Sequence, residues 1–306
     1  MYTLVRLPPP SPATIAELAE RRAAAYAHAG VIADEAEFAE QQRQLITRLF
    51  SAGGDGVLLG DVAGELGEVV IAQSGDTCEL VATTAEDPAH AIGGLDGLRA
   101  WARRAGATRI RVNRLAGDPI TQALRAEDES IVATNMRLAL DGPSRADGRV
   151  ALSPFTDAEY DEWIAGAVAE YAQERANAGA EDLVAALEVA RESFAQLLPA
   201  GRQTEGQQLL TARDGDVPVG MVWIADRGGQ AFIYDIIVSP AHRRQGYGSS
   251  IMRASEDVAR ATGATHLALN VFGHNAGARA LYDGLGYEIT LENIVIPVVT
   301  AGRIVP

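Results

Sequence analysis

The order of apolar and polar positions predicts the same set of elements in each half of the chain. In the second half the pattern predicts two helices, a three-stranded meander, a helix, a strand, a helix and a last strand. Thr156 can cap the first helix and Gly179 can end it. The predicted helices are 156–178, 182–198, 249–261 and 276–284, and the predicted strands are 208–213, 217–225, 230–238, 266–271 and 287–298. This order favours a mixed α/β sandwich.

The first half repeats this layout. Residues 106–113 match residues 263–270, and other short matches follow in the same order in both halves. A period near half the chain length indicates duplication. We therefore predict two homologous domains, 1–142 and 149–306, joined by the turn-rich segment 141–148.

Composition narrows the class of protein. The chain has 306 residues, a net charge of −15 and 26 basic residues, all of them arginine, which excludes a lysine nucleophile. No apolar run reaches the roughly 18 residues of a membrane span, and no secretory signal is expected. A single cysteine, Cys78, excludes an internal disulfide. We expect a cytoplasmic protein that binds neither nucleic acid nor membrane, and the acidic balance suits a cationic amine.

A basic glycine turn follows the apolar strand 230–238. The pattern Arg243-x-x-Gly246-x-Gly248 opens onto a helix, and no acidic residue occurs between Asp235 and Glu256. Glycines let the backbone approach a ligand, and a helix N-terminus favours negative charge. The segment therefore predicts a phosphate site formed by Arg243, Arg244, Gln245, Gly246, Tyr247, Gly248 and Ser249.

These residues and a second motif at 269–287 resemble the GCN5-related N-acetyltransferase (GNAT) superfamily over about residues 150–298. The glycine turn looks like that family's acetyl-CoA pyrophosphate loop. The resemblance implies two tandem GNAT-like domains, each a splayed mixed sheet flanked by helices. It also implies that the pantetheine arm lies between two parallel strands, and that the acetyl group passes from acetyl-CoA without a covalent acyl-enzyme.

The resemblance implies further cofactor contacts. Asn275, Ala278 and Tyr282 share one helix face, where they would hold the pantetheine amide, let the arm pass and protonate the leaving thiolate. A backbone N–H near the end of strand 230–238 would polarise the thioester carbonyl. The cofactor contacts predicted in addition to the turn are Ile236, Ile237, Val238, Asn270, Asn275, Ala278 and Tyr282.

The general base is left open among three carboxylates. Asp235 lies on the strand that enters the turn, and Glu170 and Glu174 lie on the first helix of the second half. Each could instead be structural or solvated. Three aromatic residues could line an acceptor pocket or pack in the core, namely Trp163, Tyr171 and Trp223. No metal site is predicted.

The first half lacks this chemistry. Its segment at 88–96 has no basic glycine turn, and the helix behind it looks about five residues shorter. The alignment places Ala91, Asp96, Asp118 and Arg125 opposite Arg243, Gly248, Asn275 and Tyr282. We predict a degenerate copy that binds no acetyl-CoA and covers the catalytic domain, a tandem layout similar to that of mycothiol synthase.

The expected function is acetyl-CoA-dependent acetylation of a primary amine on a small molecule, by direct attack in a ternary complex. The alternatives are a non-catalytic acyl-CoA sensor or scaffold, a longer acyl donor, and mycothiol-synthase-like acetylation of a cysteinyl amine. A monomer whose tandem halves form a pseudo-dimer is expected.

Overall fold

The computed structural model describes residues 2–61, 67–178 and 182–299. These residues form two compact units. Unit 1 contains the described residues of 2–132 and 290–299, and unit 2 contains those of 133–289. None of the helices in the described ranges is long and apolar enough to cross a membrane.

The elements are numbered in chain order. The strands are β1 (Leu4–Arg6), β2 (Gly56–Asp61), β3 (Val69–Ser74), β4 (Thr77–Thr83), β5 (Arg109–Leu115), β6 (Ser130–Ala139), β7 (Ala151–Pro154), β8 (Gln207–Asp214), β9 (Val217–Asp226), β10 (Gln230–Val238), β11 (His266–Phe272) and β12 (Glu288–Pro297). The α-helices are α1 (Pro12–His28), α2 (Glu35–Leu49), α3 (Pro88–Arg104), α4 (Pro119–Ala123), α5 (Asp157–Asn177), α6 (Leu183–Leu197), α7 (Tyr247–Ala261) and α8 (Ala276–Gly284).

The two units contain sheets of the same topology. In unit 1 the strand order is β1-β2-β3-β4-β5-β12, with a parallel β4–β5 pair and antiparallel pairs elsewhere. In unit 2 the order is β7-β8-β9-β10-β11-β6, with a parallel β10–β11 pair and antiparallel pairs elsewhere. The mixed α/β class predicted from the pattern is confirmed.

The last strand of each sheet comes from the other half of the sequence. Strand β6 follows α4 along the chain but belongs mainly to unit 2, where residues 133–139 pair with β11. Strand β12 follows α8 but belongs mainly to unit 1, where residues 291–297 pair with β5. The compact units therefore differ in their boundaries from the predicted segments 1–142 and 149–306, because each sheet takes its sixth strand from beyond its own half.

Local signals in unit 2 act as the sequence indicates. Thr156 caps α5 in a reciprocal box, in which its hydroxyl accepts from the Glu159 N–H and the Glu159 carboxylate accepts from the Thr156 N–H. The predicted stop, Gly179, lies outside the described residues. Helix α8 has the predicted bounds, and α7 begins two residues before the predicted start at Ser249.

Unit 2 has a core on each face of its sheet. On one face, Ile233, Ile251 and Leu267 belong to a cluster that also includes buried residues of α7 and Tyr282 of α8. On the other face, Trp223 packs with Phe155 and with the aromatic side chains of α5 and α6. The faces differ in chemistry, because the second is mainly aromatic.

Candidate active site

The sheet of unit 2 opens at the middle of strand β10. Parallel pairing joins residues 230–233 of β10 to residues 266–269 of β11 and goes no further, although both strands continue. The register of β10 against β9 shifts between Ile233 and Asp235. Ile233 and Ile236 consequently pack on one face, although three positions separate them. Such a bulge bends a strand and changes the direction of its side chains, and here it lies where the two strands separate.

Helix α7 begins beside this opening and has no side-chain cap. Its N-cap is Gly246, whose φ of 88° is left-handed, and no side chain accepts from its first turn. The other seven α-helices in the described part of the chain each begin at a Ser, Thr, Asp or Asn side-chain cap. The first N–H groups of a helix need a partner from outside it. Those of α7 are therefore open to an anion.

Internal bonds hold the turn before α7. Arg243 donates from Nε to the Val238 carbonyl at 3.1 Å, and Gln245 donates from Nε2 to the Ala241 carbonyl at 3.0 Å. Arg244 has a φ of 61° and is the single non-glycine residue with positive φ among those described. Such a conformation is strained for an arginine, so the turn is held in a fixed shape.

Arg149, a residue that the sequence analysis missed, reaches this turn. It donates from Nη1 to the Gln245 carbonyl at 2.6 Å, and its guanidinium lies 3.7 Å from the ring centroid of Tyr247. Tyr247 is itself a core residue that donates to Asp214 Oδ2 at 2.8 Å. The contribution of Tyr247 to a ligand would thus come from its backbone N–H.

The predicted linker is bound to α7. Arg145 forms two hydrogen bonds to the fully buried carboxylate of Glu256 and donates to the Leu285 carbonyl. Asp147 accepts from the Ser250 hydroxyl at 2.7 Å. These charge-assisted bonds tie the segment to unit 2, and the segment supplies Arg149 to the turn.

Gly248 allows close packing at the start of α7. A Cβ at this position would lie 3.2 Å from Leu281 Cδ2 and 3.8 Å from Val238 Cγ2. The glycine therefore brings α7 close to α8 and to the end of β10. Ser249 is half-buried in the first turn of the helix.

Asp235 is a half-buried carboxyl in the opening of the sheet. Trp163 donates from Nε1 to its Oδ2 at 3.2 Å. The pKa of Asp235 is raised from 3.8 to about 6, chiefly by burial and less by the negative charge of Glu170, although the hydrogen bond from Trp163 lowers it. An acid of this strength changes charge close to neutral pH.

Tyr282 lies on α8 and is buried. Burial raises its pKa from 10 to about 12, and the charge of Asp235 also raises it. No hydrogen bond involves its hydroxyl among the described residues, and its ring centroid is 5.9 Å from that of Tyr287. The Tyr282 hydroxyl therefore remains protonated at neutral pH. The charge of Asp235 acts on the pKa of Tyr282, and the charge of Glu170 acts on the pKa of Asp235. The three residues therefore lie in one electrostatic neighbourhood.

The other residues of the second motif have distinct positions. Asn275 is the N-cap of α8, where its Oδ1 accepts from the Ala278 N–H at 3.1 Å; its amide nitrogen has no hydrogen-bond partner among the described residues. Ala278 is half-buried one turn before Tyr282. Asn270 donates to the Oδ1 atom of Asn135 on β6. This bond, which the sequence analysis did not anticipate, uses one donor of a predicted cofactor residue.

The candidate bases on α5 and the aromatic residues separate into groups. Glu170 is exposed and acts on Asp235 through its charge. Glu174 instead bonds to the His274 ring. Trp223 is a core residue that donates to Gln207 Oε1 at 2.6 Å. Of the predicted aromatic residues, Trp163 alone has a described bond to the carboxyl in the opening.

The equivalent position in unit 1 has a different local structure. Helix α3 begins at Pro88 with Asp87 as its N-cap, and the Asp87 carboxylate accepts from the Ala89 N–H at 2.8 Å. The helix has 17 residues against 15 in α7, so the expectation of a shorter helix is wrong. It begins directly after a short connection from β4, which places Asp87 at the N-cap position that Gly246 occupies in unit 2. A carboxylate thus already occupies the anion position in unit 1.

The residues predicted to be catalytic, Asp235 and Tyr282, are replaced in unit 1. Strand β4 has a matching register shift, and the residue in the position of Asp235 is Ala82. Arg125, aligned with Tyr282, lies after the end of the five-residue helix α4. Asp118 caps α4 as Asn275 caps α8.

The splayed sheet, the turn and the uncapped helix define a fold shared with known acetyltransferases. The profile described as "Acetyltransferase (GNAT) family" matches residues 181–287. The uncharacterized N-acetyltransferase YycN of Bacillus subtilis is 31% identical over 147 residues, covering 46% of this chain and 94% of that protein. A mycothiol acetyltransferase of Clavibacter michiganensis is 32% identical over 147 residues, covering 44% of this chain and 40% of that protein.

A solved structure extends the likeness to nearly the whole chain. A GCN5-related N-acetyltransferase from Sphaerobacter thermophilus has a TM-score of 0.58 and 16% identity, covering 98% of this chain and 97% of that one. At this identity the likeness concerns the fold alone. The identity to the relative in Bacillus subtilis, nearly all of which is covered, shows that the chain belongs to the GNAT family of acetyltransferases. Enzymes of this family generally use acetyl-CoA.

Proposed function

We propose that unit 2 transfers an acetyl group from acetyl-CoA to a primary amine of a small molecule, by direct attack in a ternary complex. One observation carries the proposal. The uncapped N-terminus of α7 and the two acids with raised pKa values, the half-buried Asp235 and the buried Tyr282, belong to one opening of the sheet. Perturbed acids that converge with an anion site are typical of active sites.

The pyrophosphate of acetyl-CoA binds at the start of α7. The N–H groups of Tyr247, Gly248 and Ser249 have no side-chain cap to bind, and a phosphate supplies acceptors for them. Arg243 and Arg244 are exposed on the same turn and add positive charge. The pantetheine arm then passes Ala278 and the free amide nitrogen of Asn275, between residues 236–238 of β10 and the end of β11.

Asp235 accepts the proton of the amine. With a pKa of about 6 the carboxyl is ionised at pH 7.5, so it can take a proton from the incoming ammonium. The neutral nitrogen attacks the thioester carbon, the C–S bond breaks, and the thiolate leaves. Glu170 keeps the Asp235 pKa high through its charge, whereas Glu174 is engaged by His274.

Tyr282 donates a hydrogen bond to the departing sulfur. A hydroxyl whose pKa is about 12 remains protonated over the range of the assay, and burial keeps water from competing for it. The developing thiolate is the acceptor that this hydroxyl lacks among the described residues. The Tyr282 proton passes to the thiolate, and the second proton that the nitrogen loses as the amide forms restores the phenol.

The acceptor is a small cationic amine. The two carboxylates on its side of the cleft, Asp235 and Glu170, attract an ammonium group, and Trp163 offers an aromatic surface next to them. A cysteinyl amine like that used in mycothiol formation is a second candidate. It is supported by the 32% identity to a mycothiol acetyltransferase over 147 residues.

Release of free CoA thiol in the presence of an amine panel tests the function. We expect turnover with at least one amine and none without an acceptor. Tyr282→Phe should lower kcat about a hundredfold with little effect on acetyl-CoA affinity. Tyr287→Phe is the matched control, because Tyr287 is a buried neighbour whose hydroxyl also lacks a partner among the described residues. Binding of acetyl-CoA without turnover of any amine would favour the sensor alternative.

Titration calorimetry with acetyl-CoA tests the role of the two units. We expect one site per chain, because the Asp87 carboxylate already binds the first turn of α3. Two equal sites would contradict the proposal that unit 1 is degenerate.

A further inference from the structure

Helix α5 has a glycine in its middle, between two residues of the proposed acceptor site. Gly166 lies three positions after Trp163 and four before Glu170, so the three residues share one face of the helix. Trp163 donates to the Asp235 carboxyl at 3.2 Å, and the charge of Glu170 acts on the pKa of Asp235. Gly166 therefore lies on the side of α5 that faces the proposed base.

No packing contact among the described residues requires a glycine at this position. A Cβ on Gly166 would have one such neighbour within 4 Å, the Glu170 Oε1 atom at 3.8 Å. The glycines of α3 differ, because a Cβ on Gly93 would lie 2.8 Å from the Tyr2 ring and one on Gly97 would lie 2.6 Å from the Tyr2 carbonyl oxygen. Glycine is among the least favourable residues in the middle of a helix. In α5 it thus leaves open space at the proposed acceptor site, at a cost to the helix.

Unit 1 has an arginine at the equivalent position. Helix α1 is capped by the Ser11 hydroxyl as α5 is capped by the Thr156 hydroxyl, and a Tyr-Ala pair follows at the same distance from each cap. Counting from these caps places Arg21 opposite Gly166. The two helices therefore differ at this position by a whole basic side chain.

The Arg21 side chain joins α1 to the segment that follows β4. It donates from Nη1 to the Thr84 carbonyl at 3.3 Å and from Nη2 to Glu86 Oε1 at 2.7 Å. The matching register shifts of β4 and β10 place Thr84 opposite Ile237, close to the predicted position of the thioester. A long, unbranched basic side chain at this helix position therefore reaches the end of the strand at which acetyl transfer is proposed in unit 2.

We propose that the acceptor of unit 2 takes the place that the Arg21 side chain has in unit 1, and that Gly166 keeps this place empty. The amine is carried on an unbranched aliphatic arm, about as long as an arginine side chain, which passes over Gly166 between Trp163 and Glu170. Its nitrogen then lies beside the Asp235 carboxylate. This route rests on the acetyl transfer proposed for unit 2 and sets the shape of the acceptor.

A lysine introduced at position 166 tests the route without a known acceptor. The chain contains no lysine, so Gly166→Lys supplies one tethered side-chain amine. With acetyl-CoA, the thioester C–S bond breaks, an N–C bond forms on the new side chain, and CoA thiol is released. Peptide mass spectrometry should find this side chain acetylated at a rate independent of protein concentration. The exposed neighbour provides the control, Ala165→Lys, which should be acetylated at least about a hundredfold more slowly. Adding Tyr282→Phe to Gly166→Lys should slow its acetylation by at least about a hundredfold.

Free acceptors test the size limit. The isomers n-pentylamine and neopentylamine have the same charge and mass, and the parent chain should favour the unbranched one at least about tenfold in kcat/KM. Gly166→Leu should lower kcat/KM for n-pentylamine at least about tenfold and change KM for acetyl-CoA less than about twofold. Its melting temperature should not fall, because leucine favours a helix more than glycine does. Ala165→Leu should leave the kinetics unchanged.

The outcomes separate the route from the reaction. Faster acetylation of Gly166→Lys than of Ala165→Lys, with the loss on adding Tyr282→Phe, supports the route. If the parent chain acetylates free amines but the two lysine variants react equally, or if Gly166→Leu turns over n-pentylamine as the parent chain does, the route is wrong and the proposed function stands. If neither free nor tethered amines react, the proposed function fails and the route fails with it.

Discussion

Replacing Asp235 with asparagine removes a negative charge that the fold disfavours. The carboxyl is half-buried beside Trp163, and its pKa is raised from 3.8 to about 6, chiefly by burial and less by the charge of Glu170. An asparagine has nearly the same shape, and its Oδ1 can still accept from Trp163 Nε1. The substitution therefore tests the charge with little change in packing.

The pKa sets the size and the sign of the effect. A group whose pKa is raised on folding stabilises the folded state at low pH, and this contribution is lost as pH rises through the folded-state pKa. Relative to the protonated carboxyl, a rise from 3.8 to about 6 therefore destabilises the folded state by about 3 kcal/mol at pH 8 and by less than about 1 kcal/mol at pH 4. Asp235→Asn should thus be more stable than the parent chain by a margin that grows from pH 4 to pH 8.

Urea unfolding at pH 4, 6 and 8 measures this margin. The exposed Asp216→Asn is the control and should show no such growth. In the transfer assay, kcat/KM of the parent chain should rise through about pH 6 and then level off. Asp235→Asn should show no such rise, and its activity should be lower by at least about a hundredfold. A margin independent of pH would refute the assigned pKa, and full activity would remove Asp235 as the base.

Three further predictions follow from the surroundings of the site. Glu170→Gln should move the acidic limb of kcat/KM to lower pH, because it removes a charge that raises the pKa of the proposed base, and Glu174→Gln should not move it. Arg149→Met should raise KM for acetyl-CoA about tenfold with little change in kcat, because methionine cannot donate the hydrogen bond that Arg149 gives to the turn. Arg149→Lys should partly restore the affinity. Expressed alone, residues 133–289 should unfold cooperatively and residues 149–306 should not, because the second fragment lacks the strand that pairs with β11; equal folding of both fragments by circular dichroism and melting would contradict this.

The elements of unit 2 were predictable because their signals are local. Strand β10 and helix α8 have the predicted bounds, since an apolar run between turns and an Asn cap are short-range features. The exchange of strands β6 and β12 was not predictable in this way. Periodicity shows that a segment is a strand, but the edge that it pairs with depends on contacts distant in sequence. In β6 that choice joins Asn135 to Asn270, 135 positions away.

The candidate site shows the same limit. The glycine turn and Tyr282 could be predicted, because each belongs to a motif with defined spacing. Arg149 could not, since it follows a segment that reads as a linker and its partner is the carbonyl of residue 245. The raised pKa of Asp235 depends on burial and on a bulge, and neither leaves a signal in a single strand. The density of charged residues in 141–149 was the available signal that this segment is bound to something.

The two units differ in how the helix after the parallel strand begins, α3 in unit 1 and α7 in unit 2. A side-chain cap stabilises a helix by about 1 kcal/mol. Helix α3 has such a cap in Asp87, whereas α7 begins at Gly246 and has none. An anion can bind the first turn of a helix only if no carboxylate of the chain is already bound there. Unit 2 therefore has a less stable helix start in the absence of ligand, and the pyrophosphate that we propose to bind there would restore what the missing cap would contribute. In unit 1 the capped helix stabilises the fold instead, and its first turn has no N–H groups left for an anion at the capped position.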